Sequence, residues 1–272
     1  PFACKEFSVT QTQFKQSPTC EHCALSRNCT EKTESNGFTA NNPVLTHKIY
    51  HKGDNLYGAG DAFNALYIMR SGSAKACITS VDAQEQIVEF CFPGDLIGID
   101  GFAQRQHAHT VTFLETSSVC YISLTSVNAL LAQSEMGRQQ LLGNMSNSLI
   151  HQQQQTMSFH CMTSTQRLAA FLLDLSTRLT HRGLSSHQLT LSMTRIDIAN
   201  YLGMAIETIS RLLTNMQQQG LIHVQRRQVT LLDINQLRSL CNNLADADNA
   251  LIFAQNNGAF QLSSLGAQPL LQ

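Results

Sequence analysis

The chain has 272 residues, a formal net charge of -1, 43% apolar side chains and nine cysteines. That length suits two ordinary domains better than one small module, and no apolar run approaches the roughly 18 residues that cross a bilayer. The polar stretch Pro1 to Lys15 has no apolar core and no initiator methionine, so it reads as a trimmed start rather than a secretory signal; the odd cysteine count then points to a reducing, cytoplasmic setting in which thiols serve metals or redox chemistry.

Charge is unevenly spread. Residues 164–240 carry eight arginines against four acids, whereas residues 1–163 carry 10 basic against 13 acidic side chains. Arginine pairs bidentately with phosphate and with guanine, so the later stretch is the electrostatic candidate for nucleic acid.

In chain order, residues 1–45 are polar, hold Cys4, Cys20, Cys23 and Cys29, and have too few large apolar side chains to fold alone. Something must staple them. Cys20-x2-Cys23-x5-Cys29 puts three thiols within ten positions, one short of a closed four-coordinate centre, so a fourth ligand has to come from elsewhere. Zinc accepts four thiolates or three with His22, an iron-sulfur cluster accepts four thiolates, and unrelated free thiols are the plain alternative; the spacing does not choose among them.

Residues 46–125 alternate short apolar runs with glycine turns at Lys52-Gly53-Asp54, Ala59-Gly60-Asp61, Ser71-Gly72 and Pro93-Gly94-Asp95. This is the rhythm of an antiparallel barrel or sandwich. Across 126–163 the turns stop, and Leu142, Met145, Leu149, Gln152, Thr156 and Phe159 recur at steps of three and four, forming one face of a long helix. Such a face fits a seam with a second copy, or a surface helix lying on its own barrel.

Residues 164–244 begin with a helix through Leu168, Phe171, Leu172, Leu175 and Leu179 that stops at Gly183. Thr194 to Gly203 then reads as a short helix, with Thr194 as its cap and Asp197 at the capping-box position. Ala205 to Gln219 reads as a second helix with Ile209, Leu212, Leu213 and Met216 inward, and two helices joined by a tight glycine turn make a helix-turn-helix. Leu221 to Val224 and Val229 to Leu232, around Gln225-Arg226-Arg227-Gln228, predict a hairpin wing, and Asp233 to Leu244 a last short helix. Residues 245–272 suggest no function.

On the second helix Glu207, Ser210 and Arg211 stand at i, i+3 and i+4 and share one face. Arginine pairs with guanine in the major groove, glutamate accepts from cytosine N4 and serine adapts, so these three are the candidate base readers. Thr194, Arg195, Thr208, Arg226 and Arg227 are the candidate phosphate contacts, which set register without specifying sequence.

Several stretches fall in a familiar order: Cys20-x2-Cys23-x5-Cys29, Leu66-Tyr67-Ile68-Met69-Arg70-Ser71-Gly72, Gly94-Asp95-Leu96-Ile97-Gly98, Leu114-Glu115-Thr116-Ser117-Ser118-Val119-Cys120, Arg167-Leu168-Ala169-Ala170-Phe171, and Met193-Thr194-Arg195-x-Asp197-Ile198 through Glu207-Thr208-Ile209-Ser210-Arg211-Leu212-Leu213. From about Cys20 to Leu240 the chain thereby resembles the FNR branch of the CRP/FNR superfamily of bacterial transcription regulators.

The resemblance implies an α+β fold: an N-terminal cluster-binding segment, an antiparallel β-roll sensor domain of cupin-like form, a long dimerisation helix and a C-terminal winged helix-turn-helix. It implies that Cys20, Cys23, Cys29 and Cys120 hold a 4Fe-4S cluster, and it assigns base reading to Glu207, Ser210 and Arg211. It further implies an oxygen-responsive global regulator of anaerobic metabolism, a homodimer gripping a two-fold symmetric promoter site on double-stranded DNA, with RNA polymerase as partner and binding lost on oxidation. A zinc- or thiol-redox-dependent regulator of the same fold is the alternative.

Two departures stand out. Relatives that take a cyclic nucleotide look like Gly-Glu around the ribose and Arg-Ser or Arg-Thr on the phosphate, whereas Gly98-Ile99-Asp100 lacks the glutamate and Arg105 is not next to Thr110. No cyclic nucleotide is expected, and His107 and His109 read as solvated loop residues. Relatives also place carboxylates on the seam, but Ser146 to Thr163 contains none, and Gln152 stands where one is expected; dimerisation less dependent on the cluster follows. No nucleophile-base arrangement, P-loop or dinucleotide fingerprint points to an enzyme.

Overall fold

The computed structural model describes residues 46–180 and 185–242. Cys4, Cys20, Cys23, Cys29, Gly183 and the tail 245–272 lie outside the described residues. The chain divides into two compact units, residues 1–151 and 152–272.

Two antiparallel four-stranded sheets form a sandwich in the first unit. One places β1 (Thr46–Tyr50), β8 (Ser117–Ser123), β3 (Ala65–Ser71) and β6 (Leu96–Ile97) side by side; the other places β2 (Asn55–Tyr57), β7 (Thr110–Phe113), β4 (Ala74–Thr79) and β5 (Glu85–Cys91). Successive strand residues point to opposite faces, and both faces of β3 are covered. Met69 enters the core between the sheets with Val111, Phe113 and Val119, while Leu66 and Ile68 face a second core with Cys120, Ile122, Val127 and Leu141. Double burial is why Leu66 to Met69 is an unbroken apolar run where a half-exposed strand would alternate. The β3–β4 turn needs Gly72, whose φ is 82°; a Cβ there would lie 2.8 Å from the Ser117 Cα.

The helix expected over 126–163 proves to be two. After the short α1 (Gly101–Gln104), α2 (Leu124–Gln133) starts where the Ser123 hydroxyl accepts the Ser126 N–H, and α3 (Glu135–Cys161) restarts after Ser134, whose hydroxyl accepts the Gly137 N–H. A serine hydroxyl competing for backbone N–H groups favours a helix start over a helix interior, and the break follows. Val127 of α2 and Leu141 of α3, with Met145 alongside, pack on the second core.

In the second unit α4 (Ser164–Thr180), β9 (Gln188–Thr190), α5 (Arg195–Leu202), α6 (Ile206–Gln218), β10 (Ile222–Gln225), β11 (Gln228–Leu231) and α7 (Ile234–Asn242) follow in order. Each helix buries one stripe: Leu168, Phe171 and Leu172 from α4, Ile198 and Leu202 from α5, Ile209, Leu213 and Met216 from α6. Each such side chain contributes about 1.5–3 kcal/mol through burial. The wing has three strands, in the order β10-β11-β9, one more than the expected hairpin. Among the described residues no helix is long and apolar enough to cross a membrane.

Candidate DNA interface and sensor thiol

The start of α5 is built by a reciprocal cap. The Thr194 hydroxyl accepts the Asp197 N–H at 3.1 Å and donates to Asp197 Oδ2 at 2.6 Å, and the same oxygen accepts the Thr194 N–H at 2.9 Å. This is the capping box expected from the sequence. It also engages the hydroxyl proton of Thr194 within the cap. At the far end Gly203 closes α5 with φ 62°, a left-handed cap that glycine adopts without strain.

Beyond that turn α6 sets Ile209, Leu212, Leu213 and Met216 inward, and Glu207 and Arg211 emerge exposed on the opposite side with Ser210 half-buried between them. The Ser210 hydroxyl accepts from Arg195 Nη1 at 3.3 Å, which ties the first helix to the reading face. Thr208 is half-buried on α6. The three base-reading candidates therefore share a face, as their spacing required.

Arg226 and Arg227 form the tip of the wing, exposed, with Arg226 held at φ 56°. That left-handed backbone costs a non-glycine residue roughly 1 kcal/mol. Arg195, Arg226 and Arg227 line one cleft together with Thr194, Met193 and Val224, so three cations from two separate elements converge. Two hydrogen bonds fix the wing: Gln217 Oε1 of α6 accepts the Val224 N–H at 2.7 Å, and the Arg227 carbonyl accepts the Leu191 N–H at 2.8 Å. Gln217 had no sequence signal, since a glutamine near a helix end is ordinarily solvated.

Of the expected cluster ligands only Cys120 lies among the described residues. It sits on β8, 8% exposed, packed with Leu66, Ile68 and Ile122. Its sulfur lies 3.4 Å from His47 Nδ1 on β1. Among the described residues no group of three or more His, Cys, Asp or Glu side chains is assembled to hold a metal. Cys77 and Cys91 are buried strand residues and Cys161 is exposed at the end of α3, while burial pushes the Cys241 thiol up to about 11.

The loop after β6 corrects the reading of His107. The residue is 3% exposed, its ring stacked on Tyr57 at 3.6 Å between centroids and set edge-on to Phe63. A histidine in a polar loop looks solvated until an aromatic fifty positions earlier in the chain covers it. His109 stays partly exposed, its Nδ1 3.5 Å from Asp100. Asp100 organises the whole segment: its Oδ2 accepts the Ala108 N–H at 2.7 Å and the His109 N–H at 3.3 Å, and its Oδ1 is 3.4 Å from His107 Nδ1. Burial first, then the Asp100 charge, pushes the Tyr57 phenol well above its usual value.

Along the seam expected on α3, Leu142 and Leu149 are exposed at 64% and 60%, and Gln152 and Thr156 are exposed as well. Met145 packs partly on the second core, beside the buried Leu141 that the sequence reading missed. Phe159 is partly exposed, and its ring lies 5.8 Å from the Arg167 guanidinium and 3.4 Å from where a Gly203 Cβ would stand. Arg167 Nη1 in turn donates to the Leu202 carbonyl at 2.9 Å.

A β-roll followed by a winged helix-turn-helix defines a sensor joined to a DNA-binding head. The cyclic nucleotide-binding domain matches residues 47–134 and the Crp-like helix-turn-helix domain matches residues 166–240. The "Anaerobic regulatory protein" of Haemophilus influenzae is 39% identical over 81% of this chain and 87% of its own length, and the "Fumarate and nitrate reduction regulatory protein" of Vibrio cholerae is 37% identical over 81% and 89%. Among solved structures FixK2 from Bradyrhizobium japonicum is similar, with 26% identity and a TM-score of 0.68 over 75% of this chain and 100% of that one. The chain belongs to the FNR branch of the CRP/FNR family, whose members are DNA-binding transcription regulators and not enzymes.

Proposed function

We propose that this chain is a cytoplasmic, oxygen-responsive regulator of anaerobic gene expression whose DNA binding is governed by a 4Fe-4S cluster on Cys20, Cys23, Cys29 and Cys120. The observation that carries the sensing half is the buried thiol of Cys120, opposite β1 in the sheet. β1 is the strand into which residues 1–45 lead, and the sixteen residues between Cys29 and Thr46 give ample reach for three thiolates to meet the fourth. Soft thiolates suit iron-sulfur chemistry, and the apolar wall of Leu66, Ile68 and Ile122 limits water at the sulfur. Bound there, the cluster supplies the reactivity toward oxygen.

The residues of the chain do the rest. Leu142, Met145, Leu149, Gln152, Thr156 and Phe159 line the seam of a homodimer, whose exposed leucines lose water on pairing. Pairing places two heads on a two-fold symmetric promoter site, where Glu207, Ser210 and Arg211 read base edges. Arg195, Thr208, Arg226 and Arg227 hold phosphates, and RNA polymerase is the partner once the site is occupied. The β-roll takes no cyclic nucleotide in this reading: the Asp100 carboxylate already accepts the Ala108 and His109 N–H groups, and its negative charge disfavours a phosphate beside it.

Protein purified in a glove box is expected to be brown, with four iron and four sulfide per chain, and to bleach on admitting air. Colourless, iron-free protein overturns the cluster reading; tightly held zinc in its place selects the metal-stapled alternative.

A further inference from the structure

We infer that His47 is a positioning residue for the sensor, donating an N–H···S hydrogen bond to the Cys120 sulfur when that sulfur ligates the cluster; this rests on the cluster reading above. β1 and β8 pair antiparallel with His47 directly opposite Cys120. Residues in that relation project on the same face, with Cβ atoms roughly 4.5–5.5 Å apart. The imidazole thus reaches the sulfur with no backbone movement, and Nδ1 lies 3.4 Å from Sγ.

The direction of the bond follows from the partner. A ligating thiolate has no proton and accepts only, so the imidazole carries a hydrogen on Nδ1 in this pairing. Packed with Leu66, Ile68 and Ile122, the Cys120 sulfur lies where negative charge is poorly solvated and a nearby donor is worth most. A hydrogen bond to a cluster sulfur favours the electron-richer state and raises the reduction potential, and such outer partners also steady the ligand they touch. His47 itself is exposed, so it can be replaced without opening a core.

The test uses the full chain, purified without air, as wild type, His47→Leu and His47→Gln, each matched for iron and sulfide. In a redox titration followed by electron paramagnetic resonance, His47→Leu is expected to titrate at more negative potential, and His47→Gln, which keeps an N–H donor, to return toward wild type. Iron loss to a chelator is expected to be about tenfold faster in His47→Leu. Pulsed resonance on the reduced protein with nitrogen-15 histidine is expected to show one weak nitrogen coupling, abolished in His47→Leu. Unchanged potential and an unchanged coupling with the cluster intact overturn the role of His47 alone. A strong coupling, meaning direct ligation by the imidazole, overturns it too. Failure of all three proteins to bind iron overturns the cluster reading and this inference together.

Discussion

The two units carry their working residues in opposite ways. In the second unit Arg211, Arg226, Arg227 and Glu207 stand exposed on elements whose hidden faces are apolar, so the sequence pattern that makes the core also displays the site. In the first unit the candidate sensor atom, the Cys120 sulfur, is packed among strand residues and resembles any buried cysteine. An interface for a large polyanion has to be outside, whereas a thiol proposed to ligate a metal centre can be buried. The difference teaches that surface chemistry is read from periodicity and buried chemistry from pairing register.

The sharpest way to test the displayed half of that contrast is Arg211→Ala. Specific binding is expected to weaken by about 1–3 kcal/mol, with preference relaxed at one base pair and non-specific binding little changed. Fluorescence anisotropy against the operator and a scrambled duplex measures both; equal losses on the two duplexes would break the assignment. Next in size is Thr194→Ala, which removes the cap that orients α5. Unfolding of the DNA-binding unit is expected to become easier by about 1 kcal/mol, followed by circular dichroism in urea, and binding to operator and random DNA to fall together.

The smallest effect concerns the shielded half. Burial, with the neighbouring Tyr50 and Tyr121 rings second, pushes the Tyr67 phenol up to about 12, and burial pushes Tyr57 up further. The folded chain holds both phenolic protons more tightly than the unfolded chain, so their stabilising contribution is complete below pH 10, and that of Tyr67 is lost as pH rises through about 12. Urea midpoints measured from pH 8 upward are expected to decline across that interval, less steeply in Tyr67→Phe.

Much of the DNA-binding unit was legible because its signals are local: a cap at Thr194 with Asp197 three residues on, glycines at 203 and 220, and apolar steps through Met216. β9 was not legible, since three residues carry no periodicity and its place is set by pairing with β11 far downstream. The break at Ser134 and the burial of Leu141 escaped for a related reason, because both depend on how α2 and α3 lie on the strand face that bears Cys120. His107 was misjudged because its cover, Tyr57, is remote in sequence. Cys120 as a cluster ligand came from family likeness alone; what geometry adds is its neighbour across the strand pair.

The contact of Phe159 with the Gly203 turn has a structural consequence. One flat ring at the close of α3 leans on the bend that precedes α6, while Arg167 bridges that ring and the last carbonyl of α5. The last turn of α3 thus sits against the bend between the two helices of the helix-turn-helix. A methyl group at residue 203 would meet that ring at an ordinary contact distance of 3.4 Å, so what glycine spares the bend is the strain of its left-handed backbone, at φ 62°.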